Sequence, residues 1–269
     1  MFGYLRFFLA FLVLLSHIGV KFYTLNPGVI AVVIFYILAG YVVSHIYTDI
    51  LTSKQNRLFA FYRDRFLRIF PLYLYVLTIT TVFLTLTSFA NPNFTFLKVL
   101  NNITIIPLNY YMYIDSTILT KPSWWLIPPA WSLGTELQAY LLLPFALMFK
   151  RFKIVLALLS LTIYIVANFS ILNPDYFGYR FIVGVFFIFL LGSAIQSYKK
   201  TDKYFIASIY LSILILIPIF IYTNSFSPTY TKETLIGLLV GIPLVLLISK
   251  TKMKLPFNTL LGSLSYGIF

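Results

Sequence analysis

Eight runs of mainly apolar residues, near 5–22, 28–46, 70–88, 131–149, 154–171, 178–197, 204–222 and 234–249, dominate the chain. Each is long enough to cross about 30 Å of hydrocarbon as a helix rising about 1.5 Å per residue. A ninth begins near Leu260. Of the 269 residues 60% are hydrophobic and only 10% charged, against about 25% charged in a soluble domain, so the bilayer is the solvent. In hydrocarbon each spanning segment must satisfy its own backbone polar groups, which predicts an all-α polytopic bundle of about 8 to 9 helices. The first run lacks a small-residue cleavage site and is followed directly by another, so it reads as a mature helix rather than a secretory signal.

A formal charge of +13 would suggest nucleic acid in a soluble chain; here the location of the basic residues carries the meaning, and no nucleic-acid partner is expected. Segment 47–69 holds Lys54, Arg57, Arg63, Arg65 and Arg68, and the later connections KRFK, KKTDK and KTKMK fall on the same side of the alternation. The positive-inside rule puts these four and the N-terminus in the cytoplasm; the opposite loops hold only Lys21, Lys98, Lys121 and Lys232. The long outer connection, 89–130, mixes polar residues (NPNF, NNIT, PLNYY) with KPSWWLIPPAW. Its 96–108 part is expected at the interface or dipping into the membrane, with Trp124, Trp125 and Trp131 at headgroup level.

With no cysteine and two histidines, thiolate nucleophiles, disulfides and multi-histidine metal sites are not expected. Chemistry must rest on the few ionisable residues inside the runs. Arg6 and His17 are eleven positions apart, about 20° beyond three full helical turns and about 16 Å along the axis. They share a face, and with Arg6 at the cytoplasmic boundary His17 falls near the bilayer midplane, facing protein or water rather than lipid. Glu136 lies about 7.5 Å into the fourth run from its outer end and is expected at a depth close to that of His17. An imidazole and a carboxylate there can serve as a general base with its orienting partner, or as a proton relay in a transporter.

Four stretches resemble the membrane-bound acyltransferase 3 family: the Arg, ten residues, His spacing of LRFFLAFLVLLSHIGV; VIAVVIFYILAGYVVS; FYRDRFLRIFPLYL; and WSLGTELQAYLLLP. FIFLLGSAI and LGSLSYGIF fit later family segments, and Ala39 stands where the family has a small serine. The resemblance covers essentially the whole chain and implies a single integral-membrane domain over residues 1–269, short of the family's last one to two helices. It implies an acyltransferase for groups other than aminoacyl groups, moving an acyl group, often acetyl, from cytoplasmic acyl-CoA to a hydroxyl of a carbohydrate such as a surface polysaccharide unit. Acyl-CoA enters as co-substrate, with no resident cofactor and no metal.

Carried over by residue, the resemblance makes His17 the base on the acceptor hydroxyl, Arg6 its partner on the donor side and Glu136 the motif acid. Arg63, Arg65 and Arg68 lie where a cytoplasmic acyl-CoA presents its phosphates, Arg65 and Arg68 matching RFLRIFP. Trp124, Trp125 and Arg180 are candidates for acceptor contact, with Tyr110, Tyr111 and Tyr113 available to stack on sugars. His45 reads as an interfacial residue. The expected location is a bacterial cytoplasmic (inner) membrane; the competing classes are a transporter or flippase of polysaccharide or lipid-linked intermediates, and an inactive truncated acyltransferase.

Overall fold

The computed structural model describes residues 1–120, 123–223, 225–251 and 255–268. Lys121 and the 252–254 part of the last basic connection lie outside the described residues. The chain is helical in the order α1 (Phe2–His17), α2 (Pro27–His45), α3 (Arg57–Thr87), α4 (Phe96–Thr104), α5 (Ala130–Met148), α6 (Lys150–Asn168), α7 (Ile182–Ser197), α8 (Lys200–Tyr222), α9 (Thr231–Lys250) and α10 (Asn258–Ile268). A two-residue hairpin, Leu119–Thr120 against Ser123–Trp124, is the one sheet among the described residues. Among the described residues six helical spans are long and apolar enough to cross a membrane: Pro27–Ile50, Arg57–Thr87, Arg151–Asn168, Tyr176–Ser197, Lys200–Tyr222 and Thr231–Lys250. The helices form two compact units, Met1–Asp49 with Phe145–Phe269, and Ile50–Pro144.

In the first unit α2 and α7 form the centre. Neither has a polar face, and both bury most of their residues, α7 without a break from Gly184 to Ile195. An all-round apolar helix belongs inside a bundle. Their crossing is set by glycines in two of the stretches singled out above: a Cβ at Gly40 would lie 1.9 Å from the Phe189 carbonyl oxygen, and one at Gly192 1.9 Å from that of Ile37. Small residues let membrane helices approach to backbone contact, which is the main attraction available where lipid and side chains are equally apolar. Helices α1, α6, α8 and α9 surround this pair and α10 packs on α1, where the Gly3 N–H donates to Asn258 Oδ1 at 2.9 Å.

Two helices depart from the sequence expectation. Helix α1 stops at His17 instead of running to residue 22. Gly19 takes φ 86, its N–H reaches Ser16 O and that of Val20 reaches Leu15 O, a left-handed C-terminal lock that glycine adopts without a Cβ penalty. Helix α3 begins at Arg57, so most of the basic connection 47–69 is a turn-by-turn extension of the membrane helix. Pro71 sits inside it, as membrane helices tolerate.

The second unit comprises α3, α4, a 3₁₀ turn (Ile106–Tyr110), the hairpin and the first part of α5. The polar outer connection buries asparagines beside the apolar Ile105, Leu108 and Ile118. The Asn102 side chain donates to Lys98 O and Ser116 O, and the Asn102 backbone carbonyl accepts the Tyr73 hydroxyl at 2.6 Å. Asn109 donates to Thr135 Oγ1 at 2.7 Å and accepts from Gln138 Nε2 at 3.1 Å, while the Tyr110 hydroxyl donates to Gln138 Oε1 at 2.6 Å. These bonds tie the 96–110 segment to α3 and α5, and Gly134 lets Ile105 and Asn109 lie close on α5.

Candidate functional site

Arg6 and His17 on α1 and Glu136 on α5 lie on the two expected spans that are not among these six. Helix α1 is 16 residues long, and α5 gives its first half to Ser132, Thr135, Glu136 and Gln138.

Around α1 the buried residues Gly3, Leu5, Leu9, Ala10 and Val13 take one side and the exposed Tyr4, Phe8, Phe11 and Leu14 the other. At about 100° per residue, Arg6 and His17 fall within the buried arc, between the directions of Leu5 and Ala10 and about 20° from each other. Arg6 is half-buried and His17, at the helix end, is exposed. Both therefore face the bundle side without being fully buried.

The end of α1 is pinned next to His17. The Ser16 hydroxyl donates to Asn26 Oδ1 at 2.7 Å, and the same oxygen caps α2 by accepting from the Gly28 and Val29 N–H groups. The Asn26 N–H in turn donates to Oε1 of Glu233 at 3.1 Å. Glu233 is buried in the first turn of α9, where the positive helix end favours a carboxylate.

At the same end of this unit, Arg180 closes a short π-helical turn, Tyr176–Arg180. Its Nε donates to Asp175 Oδ1 at 2.8 Å and its guanidinium lies 5.3 Å from the Tyr179 ring centroid. Tyr179 meets Tyr230 edge-on at 5.3 Å. Burial, then the negative charge of Asp175, hold the Tyr230 phenol above its usual range.

In the second unit Arg65 and Glu136 are joined through a residue the sequence reading did not single out. The Tyr140 hydroxyl donates to Glu136 Oε1, and the Arg65 guanidinium lies 5.7 Å from the centroid of the Tyr140 ring. Arg65 is buried and bonded to Asp64 as well. Glu136 and Tyr140 are four apart on one helix, which puts them on one face; that spacing was the available signal. The three arginines of RDRFLR separate: Arg65 points inward, while Arg63 and Arg68 are exposed. Trp125 is half-buried with its ring 4.7 Å from Tyr111, in an edge arrangement. For Trp124 the backbone pairs with Leu119, and its side chain lies outside the described residues. His45 sits at the far end of α2, with Nδ1 2.7 Å from Asp49 Oδ2.

These features define a multi-pass helical membrane protein with an accessible imidazole at the end of its first helix and a hydrogen-bonded carboxylate on its fifth. The chain belongs to the acyltransferase 3 family: the family model, described as an acyltransferase domain, matches residues 2–269. It is accordingly a membrane acyltransferase. An uncharacterized protein of Aquifex aeolicus (strain VF5) is 45% identical over 167 residues, covering 59% of this chain and 76% of its own. No solved structure matches.

Proposed function

We propose that this chain transfers an acyl group, acetyl in the simplest case, from acyl-CoA to a hydroxyl of a carbohydrate acceptor. The observation that carries the reading is His17: exposed, on the bundle side of α1 in line with Arg6, and held at its base by the Ser16–Asn26–Glu233 chain. His17 accepts the hydroxyl proton as the acceptor oxygen attacks the thioester carbonyl. The carbonyl–sulfur bond breaks, an ester forms, and the CoA thiolate takes a proton from the imidazolium. No covalent enzyme intermediate is needed, in keeping with a chain that has no cysteine.

The remaining candidates divide by accessibility. Arg63 and Arg68 are exposed and suit donor phosphates, while buried Arg65 positions Tyr140 and through it Glu136. Arg6 anchors the donor on the His17 line. Arg180, Trp124 and Trp125 belong to the acceptor side. The basic connections face the cytoplasm, and the membrane is the cytoplasmic (inner) membrane of a bacterium.

The test is release of CoA thiol from acetyl-CoA by membranes carrying the protein, with a surface polysaccharide extract as acceptor, beside His17→Ala inserted at equal level. Loss of a general base lowers the rate by about 10²–10⁴-fold. Thiol release that needs both His17 and acceptor supports the transfer; equal release from the two proteins defeats it. A transporter moves the acceptor and releases no thiol.

A further inference from the structure

The end of the first unit opposite His17 carries a cluster that the acyl-transfer reading does not use. Helix α7 is capped by Tyr198, whose backbone turns left-handed at φ 42. Lys203, early in α8, holds its Nζ 4.7 Å from the Tyr198 ring centroid, and Lys250, the last residue of α9, holds its Nζ 4.4 Å from the same centroid. The Lys250 ammonium also donates to the Tyr198 hydroxyl oxygen at 3.0 Å. Both lysines are exposed.

Two ammonium groups on one ring form a local excess of positive charge, because an aromatic face attracts cations but has no net charge to offer. The acid nearest in sequence is already engaged: Asp202 takes Lys153 Nζ at 3.0 Å and the Ser197 hydroxyl at 2.5 Å. Neither Lys203 nor Lys250 forms an ion pair among the described residues. The Lys250 hydrogen bond, reinforced by the charges of Lys250 and Lys203, holds the Tyr198 phenol below its usual range. The hydroxyl oxygen accepts from Lys250, which leaves its own O–H to donate.

Depth narrows the occupant. Tyr198 directly follows the span Tyr176–Ser197, Lys203 lies in the first turn of Lys200–Tyr222, and Lys250 ends Thr231–Lys250. Three apolar spans therefore terminate at the cluster, which puts it at the level of lipid headgroups. We propose that Lys203, Lys250 and the Tyr198 hydroxyl form a phosphate site whose occupant is the headgroup of an anionic phospholipid. The two ammoniums contribute point charges to the phosphate oxygens and the phenol donates one directed hydrogen bond. The phosphates of a nucleotide donor share this chemistry. The site does not depend on His17 and stands whether or not thiol is released.

Purified full-length protein is titrated with phosphatidylglycerol in neutral detergent and the bound lipid counted by native mass spectrometry. The variants are Lys203→Ala with Lys250→Ala, Tyr198→Phe, which keeps the ring and both lysines, and Lys21→Ala, an exposed lysine at the other end of the unit, as control. Retained lipid should fall at least fivefold in the double variant and about twofold in Tyr198→Phe, with no change in Lys21→Ala. Where the alanine pair elutes as an aggregate, Lys203→Gln with Lys250→Gln replaces it. Wild-type retention in a monodisperse double variant overturns the site. Displacement of the lipid from wild-type protein by adenosine 3′,5′-bisphosphate, without effect on the double variant, overturns the lipid assignment in favour of a nucleotide.

Discussion

The crossing of α2 and α7 is the contact on which the first unit is built, and alanine at its two glycines tests it quantitatively. A Cβ at Gly40 would meet Phe189 O at 1.9 Å and its carbonyl carbon at 2.7 Å; one at Gly192 would meet Ile37 O at 1.9 Å and Tyr41 N at 2.7 Å. All four atoms are backbone, so no rotamer change relieves the clash, and the helices must part by about 1 Å, with a cost of about 1–3 kcal/mol for either substitution. The two positions act on the same pair of backbones. Once one alanine has parted them, the second finds space already made, so the Gly40→Ala, Gly192→Ala double variant should cost about as much as the worse single. Gly19→Ala is the contrast: nothing lies within 4 Å of its Cβ, and the penalty comes only from φ +86, about 1–2 kcal/mol. It should add fully to Gly40→Ala, since the sites share no neighbour. Reversible unfolding in mixed micelles, titrated with denaturing detergent, measures these five variants beside the wild type. A neutral single at Gly40 or Gly192, or a double variant that costs the sum of both, refutes the close crossing.

Tyr140→Phe removes the hydroxyl that donates to Glu136 while keeping the ring against Arg65. A hydrogen bond to a charged group contributes about 1.5–3 kcal/mol, so thiol release should fall about 10–100-fold in kcat with the protein still folded; an unchanged kcat removes Tyr140 from the site. In the outer connection, Asp115 is held below the usual carboxylate range, first by the Thr117 hydroxyl, then by the Thr117 N–H and Lys98. A depressed folded-state value contributes stability above the unfolded carboxylate range, near pH 3.9, and loses it as pH falls through the folded value. Protection of segment 89–118 from protease should therefore decline in acid, and Asp115→Asn should be less protected near neutrality with a flatter acid response; an unaltered profile refutes the role of that cluster.

The membrane-spanning character and helical class were legible because hydrocarbon leaves a spanning segment few options, and length and hydropathy can be read one residue at a time. The shared face of Arg6 and His17 was legible for the same local reason, helical periodicity. The early end of α1 was also written in Gly19 after His17, a local stop signal that the length of the apolar run concealed. The α3 extension was hidden because positive charges mark a membrane face regardless of whether the segment is helix or loop.

What the sequence by itself determined, then, was the solvent of each segment, the chemistry available in it and the direction in which a helix presents it. Only the tertiary structure decided which polar groups are paired. Asn102 and Asn109 turned out to be core residues, Glu233 a buried anchor for Asn26, and Arg65 an inward partner of Tyr140. Asn26 and Glu233 are 207 positions apart, and nothing in either neighbourhood announces the other. In an apolar medium an unpaired polar group is costly, which favours pairing, and the packing of distant helices determines which partner such a residue meets.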